Sequence, residues 1–152
     1  MARLSDLSDA EHKFLSEYEL PHIHSDAFVA GPPLAQRRVA MVTTAGLRRR
    51  ADQSYAVDAV DYRVLPTNSR DDLIMDHVSA GYDRTGFMQD LNVVLPLDRL
   101  AEMAADGEIG SVAEYHYSFM GAGDTLQMEP AARQVAELLR RDAVDAVLLS
   151  PV

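Results

Sequence analysis

Val39-Ala40-Met41-Val42 is a short, unbroken apolar run, set between Arg37-Arg38 and Thr43-Thr44-Ala45-Gly46. A strand apolar on both faces belongs in the middle of a parallel sheet, where helices cover both sides. Similar stretches follow. Tyr62-Arg63-Val64-Leu65, stopped by Pro66, and Asn92-Val93-Val94-Leu95, stopped by Pro96, read as further strands. Ser111 to Phe119 alternates loosely and reads as strand or extended loop; Ala146-Val147-Leu148-Leu149 is the last strand. Helical spacing fills the gaps. Leu97, Leu100, Ala101 and Ala104 form one stripe, with Gly107 as its natural C-terminal stop. Pro130 suits a first helical turn, Val135, Leu138 and Leu139 face inward, and Arg140-Arg141 complement the helix end. Strands alternating with helices predict an α/β fold: an open, mostly parallel sheet flanked by helices.

Upstream, Ser8-Asp9-Ala10-Glu11 is a capping box. Leu7, Ala10, Phe14, Leu15 and Tyr18 then share a helical stripe that Pro21 ends. Residues 22–33, with Gly31-Pro32-Pro33, read as a linker. The expected organisation is an N-terminal helix and linker over 1–33 and an α/β domain over 34–152. After the last strand only Ser150-Pro151-Val152 follow. A buried-type strand normally passes into a covering helix. Either this is an edge strand that needs no crossover, or the domain is incomplete.

With 152 residues, 47% of them apolar, the chain has material for one real core. Its 14 basic and 24 acidic residues give a formal charge of −10, which argues against nucleic acid and against anionic membranes. It has no cysteine, so a disulfide framework, a thiolate nucleophile and a cysteine metal site are excluded within these residues. The acidic N-terminus has no apolar signal-peptide core, and no apolar run nears the ~18 residues of a spanning helix. A cytoplasmic protein is expected.

In open α/β sheets ligands bind outside the carboxyl ends of the strands. That directs attention to Thr43–Gly46, to Pro96–Asp98 and to whatever follows Leu149. The Thr43 and Thr44 hydroxyls and the Gly46 amide suit an anion, although no nucleotide-binding glycine pattern is present. His116 and Ser118 are the polar members of Tyr115-His116-Tyr117-Ser118-Phe119-Met120-Gly121, an aromatic cluster that reads as core or as a pocket wall. His22-x-His24 lacks a third ligand at a metal-site spacing, so no metal is expected. His77 reads as a surface neighbour of carboxylates, and Arg48-Arg49-Arg50 as a solvated run that would also attract a carboxylate. Asp76, Asp83 and Asp90 recur every seven residues, but Gly81 and Gly86 break any helix there.

Several stretches, taken in order, carry more: Val39 to Gly46; Tyr82-Asp83-Arg84-Thr85; Asp90 to Leu100; Gly107-Glu108-Ile109-Gly110-Ser111-Val112; His116 to Gly121; and Asp142 to Val152. This ordered set resembles the glycine/betaine/sarcosine/D-proline reductase family, in its selenoprotein B branch, from about Arg38 to the last residue. The resemblance implies an oxidoreductase subunit that reductively cleaves a C–N bond alpha to a carboxylate, in a small amino acid or a betaine, with a thiol/disulfide electron couple. It implies association with other reductase subunits or a homo-oligomer. The family's redox residue, a selenocysteine or cysteine with a further cysteine soon after, follows the segment matching Leu148–Val152, so the catalytic residue is expected directly after Val152. Residues 34–152 would then be the N-terminal part of a reductase domain, and the 152 residues alone inactive. Thr43, Thr44, Gly46, His116 and Ser118 are the candidates for lining the substrate site. Asp83, Asp90 and Asn92 fall in matching motifs but read first as loop-fixing residues. Glu129-Pro130-Ala131-Ala132 and Ala143 depart mildly from the family pattern. The alternative is a non-catalytic remnant or partner subunit that works by docking on another chain.

Overall fold

The computed structural model describes residues 4–17, 22, 26–79 and 84–152. Tyr18, Pro21, His24, Gly81, Tyr82 and Asp83, used in the sequence reading, lie outside the described residues.

β1 (Arg38–Thr43) is the centre of the sheet, as its uninterrupted apolar run requires. β7 (Ala146–Ser150) runs parallel along one side of it, from Val39↔Ala146 to Thr43↔Ser150. On the other side, β5 (Ser111–Val112) and β6 (Tyr115–Phe119) form one parallel track in two pieces. Val39 pairs with Val112 and Val42 with Tyr117, so three steps of β1 face five of its neighbour. The extra residues, Ala113-Glu114, bulge out. β3 (Tyr62–Pro66) closes that side antiparallel to β6, from Tyr62↔Phe119 to Pro66↔Tyr115. The result is a mostly parallel α/β sheet.

Side chains alternate across β1. Val39 and Met41 point into a core with Leu65, Leu95, Leu97 and Leu100, covered by α3 (Leu97–Ala105). Gly107, at φ +75°, stops α3 as a left-handed residue. Val42 points the other way, with Tyr117, Phe119, Tyr62 and Val64, onto α4 (Glu129–Arg141), whose Val135 is buried against them. Burying such a side chain is worth ~2 kcal/mol, and these two apolar stripes hold the helices on their respective faces.

Three local readings change. Asn92–Leu95 is not a strand. Asp90 accepts the Asn92 amide at 2.9 Å, and Asn92 in turn donates to Asp98 and accepts its amide, which curls Leu91–Val93 into a 3-10 turn. Its apolar residues are core plugs: Val94 and Leu95 are fully buried. A four-residue apolar run does not by itself distinguish these outcomes. Pro96–Asp98 therefore opens a helix and follows no strand. Second, a small antiparallel ribbon, β2 (Leu47–Arg49) with β4 (Leu73–Met75), packs beside the sheet. Arg48 is no solvated charge: it donates to Asp76, to the carbonyls of Arg49, Arg50 and Asp52, and to Ser54. Third, Gly86 does not prevent the short helix α2 (Thr85–Gln89).

At the N-terminus the capping box forms, with the Ser8 amide bonded to Glu11 at 3.1 Å, and α1 (Asp9–Glu17) follows with no buried residue.

Candidate functional site

The three parallel strand ends at the carboxyl edge of the sheet converge. After β1 the chain turns sharply: Thr43 Oγ1 accepts the Ala45 amide at 3.2 Å, and Gly46 adopts φ +63°. Thr44 faces β7. Its amide donates to the Ser150 carbonyl at 3.2 Å, and its hydroxyl accepts the Val152 amide at 2.9 Å and donates to the Val152 carbonyl at 3.4 Å. On the other flank Gly121, at φ +85°, lies so close that a Cβ there would sit 2.8 Å from Thr44 Cβ. Only glycine fits between these strand ends. Thr44, Gly121 and Val152 thus form one patch at the surface. The backbone N–H groups of Gly121, Ala122 and Gly123 make no hydrogen bond to the described residues; Gly121 lies against Thr44, and Gly123 against Ala59 and Val60.

The other candidates sit beneath it. The Gly46 amide is taken by the Phe119 carbonyl at 2.9 Å, and the Gly46 carbonyl by the Asp76 amide at 2.8 Å. Thr43 and Ser118 are fully buried; Ser118 Oγ accepts the Leu47 amide at 2.8 Å and so ties β2 to the sheet. Tyr55 braces the same place by donating its hydroxyl to the Ser118 carbonyl at 2.7 Å. Burial pushes the Tyr55 hydroxyl well above its ordinary range.

His116 lies lower, at the bulge. The displaced track cannot give Met41 a strand partner, and His116 Nδ1 accepts that amide at 3.0 Å. Nε2 is therefore the protonated nitrogen, and it donates to Thr67 Oγ1 at 3.0 Å, which passes its own proton to the Ala113 carbonyl at 2.7 Å. Both ring nitrogens are spoken for, the residue is fully buried, and burial lowers its pKa to about 4. The imidazole is a neutral strut of the bulge.

Two features escaped the sequence reading. His77 is buried, and its backbone lies directly against Gly46: a Cβ on residue 46 would come within 2.8 Å of His77 Cα. Its Nδ1 accepts the Ser79 amide at 3.1 Å, and burial, then the nearby Arg84, lower its pKa. The Gly121–Gly123 amides also went unnoticed, although Gly121 closes a quoted motif. Asp90 and Asn92 fix their own loop. Among the described residues no cluster of three metal-ligating side chains is present, and no helix is long and apolar enough to cross a membrane.

Fold and patch together define an α/β protein whose candidate site lies where parallel strands end on a glycine-tight turn. Residues 4–152 match the family model described as glycine/sarcosine/betaine reductase selenoprotein B, and the chain belongs to that family. It is 32% identical to the D-proline reductase subunit gamma of Acetoanaerobium sticklandii over 121 residues, 77% of this chain and 49% of that protein. It is 32% identical over 146 residues to the glycine reductase complex component B subunit gamma of Symbiobacterium thermophilum, covering 90% of this chain and 34% of the relative. The betaine reductase complex component B subunit beta of Peptoclostridium acidaminophilum is 30% identical over 142 residues, 87% of this chain and 32% of its own length. The chain therefore spans a third to a half of the relatives it matches. They are named as reductases or components of reductase complexes. No solved structure matches it.

Proposed function

We propose that this chain supplies the substrate-holding part of a selenoprotein B-type reductase subunit, which cleaves a C–N bond alpha to the carboxylate of a small amino acid or betaine. The observation that carries the reading is the meeting of Thr44, Gly121 and Val152 at one strand edge. The substrate carboxylate accepts from the Gly121 and Ala122 amides, while Thr44, bonded in both directions to Val152, fixes the strand end beside them. Thr43, Gly46, His116 and Ser118 act from beneath, holding the turn and the bulge in place. Cleavage consumes two electrons and two protons, which a dithiol supplies in becoming a disulfide. The 152 residues hold no cysteine. The reading therefore needs a selenocysteine or cysteine directly beyond Val152, next to Thr44, and a further thiol that resolves the product. A selenol or low-pKa thiol there provides the nucleophile. Association with other reductase subunits completes the reading.

The test is turnover of glycine, sarcosine, betaine or D-proline by the protein purified from its native host, with a dithiol as reductant. One disulfide should appear per C–N bond cleaved, and iodoacetate treatment near neutral pH should abolish turnover. The 152 residues alone should be inert. Turnover that survives alkylation, or none with any of these substrates, overturns the proposal.

A second reading, a non-catalytic subunit that docks through its sheet, rests on β7. Its Val147, Leu148 and Leu149 are exposed at 41%, 43% and 69%. An apolar edge strand of this kind favours pairing with another chain.

A further inference from the structure

At the opposite end of the sheet, α4 does not close completely over β3 and β6. A cavity of about 330 Å³ remains, lined by Val64, Tyr115, Tyr117 and Leu138 together with the charged Glu114, Arg141 and Asp142. It lies at the start of β6, and Tyr117 to Gly121 is four residues of extended chain, roughly 13 Å from the strand-end patch.

The polar groups here divide into committed and free. Asp142 is committed: it pairs with Arg38 at 2.5 Å and accepts the Glu114 amide at 2.9 Å. Glu114 engages the Tyr115 hydroxyl and raises its pKa. Two groups are left. Arg141 is exposed, and among the described residues its guanidinium has no hydrogen bond and no ion pair. The Tyr117 hydroxyl has no hydrogen-bond partner either, although Tyr117 is only 2% exposed. No fully buried side-chain polar atom among the described residues lacks a partner, so this hydroxyl must open into the cavity that its residue lines. Its ring is fixed edge-on against Tyr62, at 5.9 Å between centroids. Burial pushes the hydroxyl up to about 12, so it stays a proton donor at physiological pH.

The ring of Tyr117 is packed away while its hydroxyl reaches the open space of this cavity. Both uncommitted groups donate, and one carries a positive charge. The walls between them are aliphatic and aromatic. The volume sits at the small end of ligand sites. We propose that this cavity binds a small organic carboxylate with an apolar body: the carboxylate on Arg141, the body against Val64, Leu138 and the tyrosine rings, and an acceptor within reach of Tyr117. The site is separate from the strand-end patch and does not depend on the reductase reading.

Benzoate is the probe, followed by NMR of methyl-labelled valine and leucine in the 152-residue chain. Benzoate should shift the Val64 and Leu138 methyl signals saturably, with a Kd on the order of 1 mM for so few atoms. Benzamide, of the same shape but uncharged, should bind about tenfold more weakly. Glycine, which has no apolar body, should leave these signals in place. Arg141→Gln should weaken benzoate about tenfold, and Arg141→Lys should restore part of the loss, which a folding defect would not. Tyr117→Phe should weaken it a few-fold while leaving the spectrum otherwise native. The proposal is overturned if benzoate and benzamide bind alike, if glycine shifts the same methyls, if Arg141→Gln binds as well as the original chain, or if no shift appears by roughly 20 mM.

Discussion

Replacing Gly46 by alanine tests how tightly the strand-end turn is built, and Gly107→Ala supplies an internal control. Both glycines have positive φ, +63° and +75°. Forcing an alanine into the left-handed region costs ~1–2 kcal/mol at either position. Their surroundings differ. Around Gly107 an added Cβ would meet nothing within 4 Å, so only the backbone cost applies. At Gly46 the same atom would lie 2.8 Å from His77 Cα and 2.9 Å from His77 N. Those are backbone atoms and cannot rotate away. The Gly46 carbonyl also holds the Asp76 amide, so separating the two segments loosens a bond that anchors the turn. Overpacking of this kind adds ~1–3 kcal/mol. In urea, with a slope of ~2 kcal/mol/M, Gly46→Ala should therefore unfold ~0.5–1.5 M earlier than Gly107→Ala. Equal midpoints, or a larger loss at Gly107, would refute the claim that the residue 77 segment is clamped against the site.

Other consequences follow from buried charge and hydrogen bonding. His116 has a pKa near 4 folded and ~6.5 unfolded, so between these values the unfolded chain takes up the proton first. Its contribution is intact above pH 6.5 and is lost as pH falls towards 4, ~3 kcal/mol in all; urea titrations at pH 7 and pH 4.5 should show a steeper loss for the native chain than for His116→Gln, and parallel losses would contradict the strut. Burial works against the charge on Asp142, but Arg38 and the Glu114 and Tyr115 amides outweigh it and hold the carboxyl below its usual range. Asp142→Ala leaves the partly buried Arg38 unpaired and should cost ~2–3 kcal/mol in urea, with Asp142→Asn milder; a loss under 0.5 kcal/mol would show the pair to be idle.

Legibility in the sequence tracked periodicity. Val39–Val42 announced the central strand because a strand buried on both faces leaves an unbroken apolar run; Ala146–Leu149 shows the same run, yet β7 is an edge strand with Val147, Leu148 and Leu149 exposed. The two long helices were visible in their stripes, and Gly107 in its stop. Asn92–Leu95 deceived because core plugs and strands share apolar residues, and the deciding Asp90–Asn92–Asp98 hydrogen bonds are a matter of side-chain geometry. The ribbon of Leu47–Arg49 and Leu73–Met75 was hidden because three-residue strands carry too little pattern. At the site, Thr43, Thr44 and Gly46 were legible from the strand-end rule, but the division of labour was not. That Thr44 reaches the surface while Thr43 turns inward follows from side-chain alternation in a register the sequence does not state. His116 illustrates the same limit: its role comes from a two-residue bulge that appears only when β1 and β6 are paired.

The reductase reading itself meets its most direct test in a peptide. Protein purified from the native host is alkylated with iodoacetamide at neutral pH and digested with trypsin, which cuts after Arg141 and releases the peptide beginning Asp142-Ala143-Val144. The reading predicts by mass spectrometry a peptide that continues past Val152 into an alkylated selenocysteine or cysteine. A peptide that ends at Val152 with a free carboxylate would contradict it.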